Sequence, residues 1–152
     1  MAVQTVVIEV PSSLPATILF KLFKDFDNIA PKAEPQSYKS ITNIEGVSHV
    51  TYSDESNFNS SKFRCDAMDT DKLTLSYTVI EGDVFMGKID NIAIHFEFIP
   101  SANGGSVYKQ TLVFQCTGDS TLSEEELNGA KEFDLNTLKA FEAYAIAHPE
   151  VC

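Results

Sequence analysis

The middle of the chain alternates hydrophobic and polar residues with a period of two. Residues 72–81 place four apolar side chains on one face and mainly hydroxyl side chains on the other. Residues 89–99 alternate in the same way, and residues 106–116 continue the alternation after the turn sequence Asn103-Gly104-Gly105. This pattern predicts half-buried antiparallel strands, the last two of which form a hairpin.

Shorter strands are predicted before this region. Residues 2–10 are rich in β-branched side chains and are followed by Pro11, which is typical of a strand and its end. Polar turn residues separate three further segments of strand-like composition, namely residues 38–45, 48–53 and 61–68.

Between the first two strands the apolar spacing is that of a helix. Ser13 is a suitable N-cap, and Pro15 is tolerated in a first helical turn. The apolar residues that follow fall on one helical face: Leu19, Leu22, Phe23 and Phe26. A second short helical segment is predicted over residues 27–33, before Pro35.

A long helix is predicted near the end of the sequence. Ser123, followed by Glu126 three residues later, is the signature of a capping box, and the acidic first turn complements the helix dipole. The apolar pattern continues for about 25 residues, to near His148. Its stripe consists of Leu127, Ala130, Phe133, Leu138, Phe141, Tyr144 and Ala145.

The order of elements predicts a single α+β domain over residues 1–152. A curved antiparallel sheet wrapped around the long helix would bury the apolar faces of both. A chain of 152 residues is long enough to form a core without disulfides or a structural metal.

Charge and cysteine content restrict the function. The chain has 22 acidic and 11 basic residues, a formal net charge of -11. Because this charge repels phosphate backbones and anionic lipid, we expect no nucleic-acid partner and no membrane partner. The N-terminal residues lack a signal-peptide pattern, and Cys65, Cys116 and Cys152 fit no metal motif. We therefore expect reduced thiols, a cytoplasmic location and no cofactor or metal.

A series of short phrases occurs in order over nearly the whole chain: Leu19-Phe20-Lys21, Pro31-Lys32, Pro35-Gln36, Ile44-Glu45-Gly46, Val79-Ile80-Glu81-Gly82, Gly104-Gly105-Ser106, Ala130-Lys131-Glu132 and Ala145-Ile146-Ala147-His148-Pro149. Together they resemble the plant pathogenesis-related class 10 family, also called the Bet v 1-like or major birch pollen allergen family. The resemblance implies the helix-grip fold: a seven-stranded curved antiparallel sheet around a long C-terminal helix, with two short helices after strand 1. It also implies a large apolar cavity that holds hormones, flavonoids, sterol-like molecules or alkaloids. We expect a monomer or a weak dimer.

One segment departs from the family pattern. Family members usually continue Ile-Glu-Gly with a glycine-rich loop, whereas Gly46 is followed here by Val47-Ser48-His49-Val50. A glycine-rich loop exposes backbone N–H groups that attract anions. Its shortening argues against phosphate binding and against a ribonuclease activity that depends on this loop.

The resemblance implies that one face of the strands and one face of the long helix point towards the cavity. The candidate ligand-binding residues on the strands are Tyr77, Ile94, Phe96, Phe98, Tyr108, Gln110, Leu112 and Phe114. Those on the helix are Phe133, Asp134, Thr137, Leu138 and Phe141. The aromatic side chains suit either ordinary core packing or a cavity wall.

Two polar residues on these faces require partners. Gln110 could orient a polar group of a ligand, or it could bond Tyr77 or an ordered water. Asp134 interrupts the helix stripe. It could reach water, or it could pair with Lys131 or Lys21. Alternatively, it lies at the cavity wall as a polar anchor or acid/base group with a raised pKa.

Two functions fit these residues. The favoured one is an intracellular plant protein of the defence or storage type that binds a small, mostly apolar metabolite: a phytohormone, flavonoid or alkaloid. The alternative is an alkaloid- or polyketide-pathway enzyme that uses acid/base residues in the same cavity. The nearest lysine, Lys109, points outwards by alternation, so the pattern favours binding and assigns no catalytic residue.

Overall fold

The computed structural model describes residues 2–151, so the prediction about Cys152 lies outside the described residues. Seven strands form one antiparallel sheet in the order β1-β7-β6-β5-β4-β3-β2. The strands are β1 (Val3–Ser12), β2 (Tyr38–Ile44), β3 (Val47–Tyr52), β4 (Ser60–Asp69), β5 (Thr74–Gly82), β6 (Ile89–Pro100) and β7 (Ser106–Cys116).

Three helices accompany the sheet: α1 (Ala16–Lys24), α2 (Phe26–Ala33) and α3 (Glu124–Ala147). Single 3₁₀ turns cover Asp83–Phe85 and Pro149–Val151. The predicted α+β class, with a seven-stranded sheet, two short helices after β1 and a long final helix, is confirmed. Among residues 2–151, no helix is both long and apolar enough to cross a bilayer.

The capping box of α3 forms as predicted. The Glu126 backbone N–H donates to Ser123 Oγ at 3.1 Å, and the Ser123 backbone N–H donates to Glu126 Oε1 at 2.9 Å. These two hydrogen bonds satisfy donors at the start of α3 and fix where the helix begins.

Two details around the first helix differ from the prediction. Pro11 lies inside β1 rather than after it, which is tolerated because β1 is an edge strand with one unpaired side. Ser13 does not cap α1, because the helix begins after Pro15 with no side-chain cap. Ser12 instead accepts from the Leu14 N–H at 3.2 Å and donates to Glu142 of α3 at 2.6 Å.

The turn between β2 and β3 contains only two residues, as the short sequence after Ile44 predicts. Glu45 and Gly46 have φ values of +51° and +86°, and Ile44 pairs with Val47 directly across the turn. Two consecutive positive φ values are those of a type I′ hairpin turn. Asn43 Oδ1 accepts from the Gly46 N–H at 3.2 Å, so this backbone donor is already occupied.

The core lies between the concave face of the sheet and the helices. Phe23 of α1 is at its centre, with ring centroids 4.7 Å from Phe141 of α3 and 5.5 Å from Phe98 of β6. Because α1 packs across one end of the sheet, the space between sheet and α3 is filled at that end and open at the other.

Candidate ligand-binding site

A cavity of about 430 Å³ occupies the open end, between the sheet and the first half of α3. Strands β2 to β7 all contribute side chains to its wall, as do all three helices. The lining is mostly aliphatic and aromatic, with a few polar side chains, among them Gln110 on β7 and Asp134 and Thr137 on α3. Both the volume and this mixture are usual for sites that bind small molecules.

Ten of the thirteen predicted site residues line this cavity: Tyr77, Ile94, Phe96, Tyr108, Gln110, Leu112, Phe114, Phe133, Asp134 and Thr137. Phe98, Leu138 and Phe141 do not lie on its wall; they are at most 2% exposed and belong to the packed core. The reason is the position of α1, because Phe23 fills the space in front of Phe98 and Phe141. The faces were predicted correctly, but the part of each face that borders the cavity depends on α1.

Asp134 is held at the cavity wall by a chain of hydrogen bonds. The hydroxyl of Tyr108 donates to Gln110 Oε1, and Gln110 Nε2 donates to Asp134 Oδ2 at 3.2 Å. Gln110 therefore bonds Tyr108 and Asp134 rather than Tyr77, whose hydroxyl donates to the backbone oxygen of Phe23 at 3.2 Å. Of the two positions predicted for Asp134, the structure has the one at the cavity wall.

The environment of Asp134 favours its neutral form. Burial raises the pKa of this carboxyl to about 7, because the charged form loses its hydration. The hydrogen bond from Gln110 opposes the rise, and the negative charge of Glu34 adds to it. Neutral and ionised Asp134 are therefore both populated near neutral pH.

Glu34 is a second carboxyl group inside the molecule, and the sequence did not reveal it. It lies directly after α2 and is 3% exposed. Thr137 Oγ1 donates to Glu34 Oε1 at 2.7 Å, and Ser37 Oγ donates to Oε2 at 3.0 Å. The hydroxyl of Tyr38 lies 3.5 Å from Thr137 Oγ1. Glu34 thus joins the end of α2 to α3 beside the cavity.

The hydroxyl groups of four cavity tyrosines all have protein partners. Besides the three already described, the hydroxyl of Tyr52 bonds Ser61 Oγ at 2.8 Å. Burial is the main reason why the pKa of each tyrosine is raised above its ordinary value. These groups are therefore neutral near pH 7 and contribute no charge to the cavity.

The mouth of the cavity lies between two loops and the start of α3. Exposed lining residues mark it: Asn57 in the β3–β4 loop, Met86 in the β5–β6 loop and Gly129 in α3. Lys88 Nζ lies 3.0 Å from both carboxylate oxygens of Glu126 and so ties the β5–β6 loop to α3.

At the other side, three aromatic rings close the cavity. Phe63 is in edge contact with Phe26 and with Tyr77, at centroid distances of 5.8 and 5.6 Å. Behind these rings lies a smaller pocket of about 180 Å³ under the β2–β3 turn. There, Ser48 Oγ donates to the carboxylate of Asp27 at 2.8 Å.

Several lining residues were missed in the sequence. Tyr38 and Tyr52 lie in β2 and β3, where the hydrophobic alternation is weak, and Phe26 was assigned only to a helix face. Within residues 2–151, no group of three or more His, Cys, Asp or Glu side chains is arranged to hold a metal ion.

A chamber enclosed by a strongly curved sheet and one long helix is the architecture of a helix-grip cavity protein. The family model described as "Pathogenesis-related protein Bet v 1 family" matches residues 1–147, and the chain belongs to this family.

Named relatives and a solved structure agree with this assignment. The chain is 50% identical to "Root allergen protein" of Taraxacum officinale, with 95% of this chain and 96% of the relative covered. It is 40% identical to "Ribonuclease 1" of Panax ginseng, with 96% and 99% covered. The crystal structure of Ara h 8.0201 superimposes with a TM-score of 0.83 at 27% identity, covering 96% of this chain and 99% of that one.

Proposed function

We propose that the protein binds a small, mostly apolar plant metabolite in its interior, as a protein of the defence or storage type. The ligand class is a phytohormone, a flavonoid or an alkaloid. The observation that supports the proposal is the cavity of about 430 Å³ with aromatic walls and a polar cluster on one side. Membership of a family named for pathogenesis-related proteins supports the defence role.

In this proposal, the aromatic side of the cavity contacts the rings of the ligand, and the polar side bonds its hydroxyl or amine groups. Phe63, Tyr77 and Phe96 form a continuous aromatic wall, with neighbouring centroids 5.6 and 5.9 Å apart. Such a wall favours planar aromatic ligands through edge and offset contacts. Asp134 Oδ1 accepts no hydrogen bond from residues 2–151, so it is free to accept one from a hydroxyl or amine of the ligand.

Dye binding tests the proposal. We expect a fluorescent apolar dye such as 1-anilinonaphthalene-8-sulfonate to bind at micromolar concentration and to be displaced by flavonoid- or cytokinin-like compounds. Ala130 lines the cavity, whereas Ala143 is exposed on the same helix. Ala130→Phe should therefore weaken dye binding at least about tenfold, a loss of about 1.4 kcal/mol, and Ala143→Phe should not. Absence of dye binding to the wild-type protein would contradict the proposal.

RNA hydrolysis is a second candidate function, because one relative carries the name Ribonuclease 1. The charge of -11 disfavours association with RNA, and the turn at Glu45 and Gly46 has too few residues to cradle a phosphate. We expect no salt-sensitive RNA binding, and no ribonuclease activity that follows the protein through purification. Co-elution of the two through orthogonal columns would overturn this expectation.

The enzyme alternative depends on Asp134. No lysine, arginine or histidine belongs to the described cavity lining, so a mechanism that needs an internal amine has no candidate there. The cytoplasmic location, the monomeric or weakly dimeric state and the absence of nucleic-acid and membrane partners remain predictions.

A further inference from the structure

Asp134 combines features that ligand binding alone does not require. We propose that the cavity is also a proton-transfer site, in which the Asp134 carboxylate removes a proton from a carbon acid enclosed beside it. The substrate class is a mainly aromatic, uncharged molecule with an acidic C–H bond, either next to a carbonyl or in a heteroaromatic ring. The proposal rests on ligand access to the cavity, as proposed above.

The carboxylate is oriented for this task. One oxygen, Oδ2, is fixed by Gln110 at 3.2 Å, and Gln110 is fixed in turn by Tyr108. The other oxygen, Oδ1, accepts no hydrogen bond from the described residues, although Asp134 lines the cavity. A base whose direction is set by neighbouring side chains loses little entropy when it meets its substrate.

The surroundings make the carboxylate a stronger base than an exposed aspartate. Partial burial at the cavity wall raises its pKa to about 7, so it exists in both protonation states near neutral pH. Other titratable groups face it: Glu34 after α2, Tyr38 and Tyr52 on β2 and β3, and Tyr108 on β7. The tyrosines stay neutral because burial raises the pKa of each. Among these groups, Glu34 is therefore the one whose charge acts on the pKa of Asp134.

The proton transfer needs no oxidant, reductant or second substrate. Asp134 takes the proton, and the C–H electron pair moves into the neighbouring carbonyl to form an enolate. In a substrate that carries a carbon–carbon double bond conjugated with this enolate, return of the same proton to the far carbon of that double bond gives the conjugated isomer and restores the carboxylate. With the probe 5-nitrobenzisoxazole, the C–H electron pair completes a nitrile, and the ring N–O bond breaks with its electron pair on the oxygen. The single product is a cyanophenolate, and Asp134 then releases the proton to water.

The test measures conversion of 5-nitrobenzisoxazole and dye binding on the same preparations. We expect the wild-type protein to accelerate conversion over an equal concentration of free acetate, and Asp134→Asn to lose about 100-fold or more of that acceleration. Asp90 is exposed and does not line the cavity, so Asp90→Asn is the matched control and should keep full activity. The dye should compete with the probe.

Variants of two positioning residues, Glu34 and Gln110, provide a second test, in which the pH dependence of the rate is measured. This test does not require the Asp134→Asn variant to fold. The rate should rise with pH and level off above the pKa of Asp134. Glu34→Gln removes a charge that raises this pKa, so the profile should move to lower pH. Gln110→Leu removes a hydrogen bond that lowers it, so the profile should move to higher pH. A merely structural role would not give opposite shifts.

The outcomes separate this inference from the binding proposal. Dye binding without acceleration, or acceleration that survives Asp134→Asn, overturns proton transfer and leaves binding intact. Absence of both dye binding and acceleration overturns both. Acceleration lost in Asp134→Asn but kept in Asp90→Asn, with profiles that shift in opposite directions, establishes the site.

Discussion

Two carboxyl groups lie inside this molecule, and their surroundings differ. Glu34 accepts hydrogen bonds from two hydroxyl groups, at 2.7 and 3.0 Å. Asp134 lines the cavity and accepts one, from an amide at 3.2 Å, while its Oδ1 accepts none from residues 2–151. Hydrogen bonds to the charged form offset the cost of burial, whereas their absence leaves that cost in place. A buried carboxyl with two hydroxyl donors joins two helices, whereas a partly buried carboxyl with one donor at the cavity wall stays available to a ligand.

The largest expected effect concerns Asp134 and the pH dependence of the free energy of unfolding. Because the pKa of Asp134 is raised from its ordinary value to about 7, the folded state binds its proton more tightly than the unfolded state. The stability linked to this group is complete below about pH 4 and is lost as pH rises through about 7. The loss amounts to at most about 4 kcal/mol, since one pKa unit corresponds to about 1.4 kcal/mol.

Asp134→Asn checks this directly, because the amide has nearly the same shape and does not titrate. Urea unfolding at about pH 5 and about pH 8 should show the variant gaining stability over the wild type as pH rises. Parallel pH profiles for the two proteins would show that Asp134 is hydrated in the folded state.

The second largest effect concerns Glu34. Glu34→Ala deprives the Thr137 and Ser37 hydroxyls of their acceptor and unlinks α2 from α3, so the free energy of unfolding should fall by about 2–3 kcal/mol. Glu34→Gln keeps an acceptor and should cost less. The sign is opposite to that of Asp134→Asn at high pH, and a stabilised Glu34→Ala protein would remove the distinction between the two carboxyls.

A smaller effect is expected from the hydroxyl between Tyr38 and Glu34. Thr137→Val keeps the shape of the side chain and removes that group, and should cost about 1–2 kcal/mol. A double-mutant cycle with Glu34→Gln should give a coupling energy of at least about 0.5 kcal/mol, because the residues are in direct contact. Additive losses would mean that the 2.7 Å hydrogen bond contributes little.

These differences also explain what the sequence could predict. Period-two alternation located β5 to β7, and the Ser123 signal located the start of α3, because both patterns are local. The polar residue within the apolar stripe of α3 is also a local pattern, and it identified Asp134 as a candidate site residue. Glu34 gave no signal, since it stands before Pro35 in a polar stretch typical of an exposed turn, and its partner Thr137 is 103 residues away.

The cavity wall was predicted only in part because periodicity gives the face of an element and not the position along it. Phe96 and Phe98 share a face of β6, yet only Phe96 borders the cavity. Phe98 lies under α1, with its ring centroid 6.3 Å from that of Phe20 in an edge contact. The position at which α1 crosses the sheet depends on tertiary packing, which local periodicity does not encode. This position determines which residues of an apolar stripe belong to the core and which line the cavity.

The carboxylate of Glu126 has a consequence for motion at the rim of the chamber. It accepts from the Ser123 amide at 2.9 Å and also holds the ammonium group of Lys88 at 3.0 Å. One carboxylate therefore serves both the cap of α3 and the link to the β5–β6 loop, and an outward movement of that loop would separate Lys88 from Glu126. Deuterium exchange of the Ser123 amide, compared between the wild type and Lys88→Met, therefore measures whether loss of the salt bridge at the rim also loosens the start of the helix.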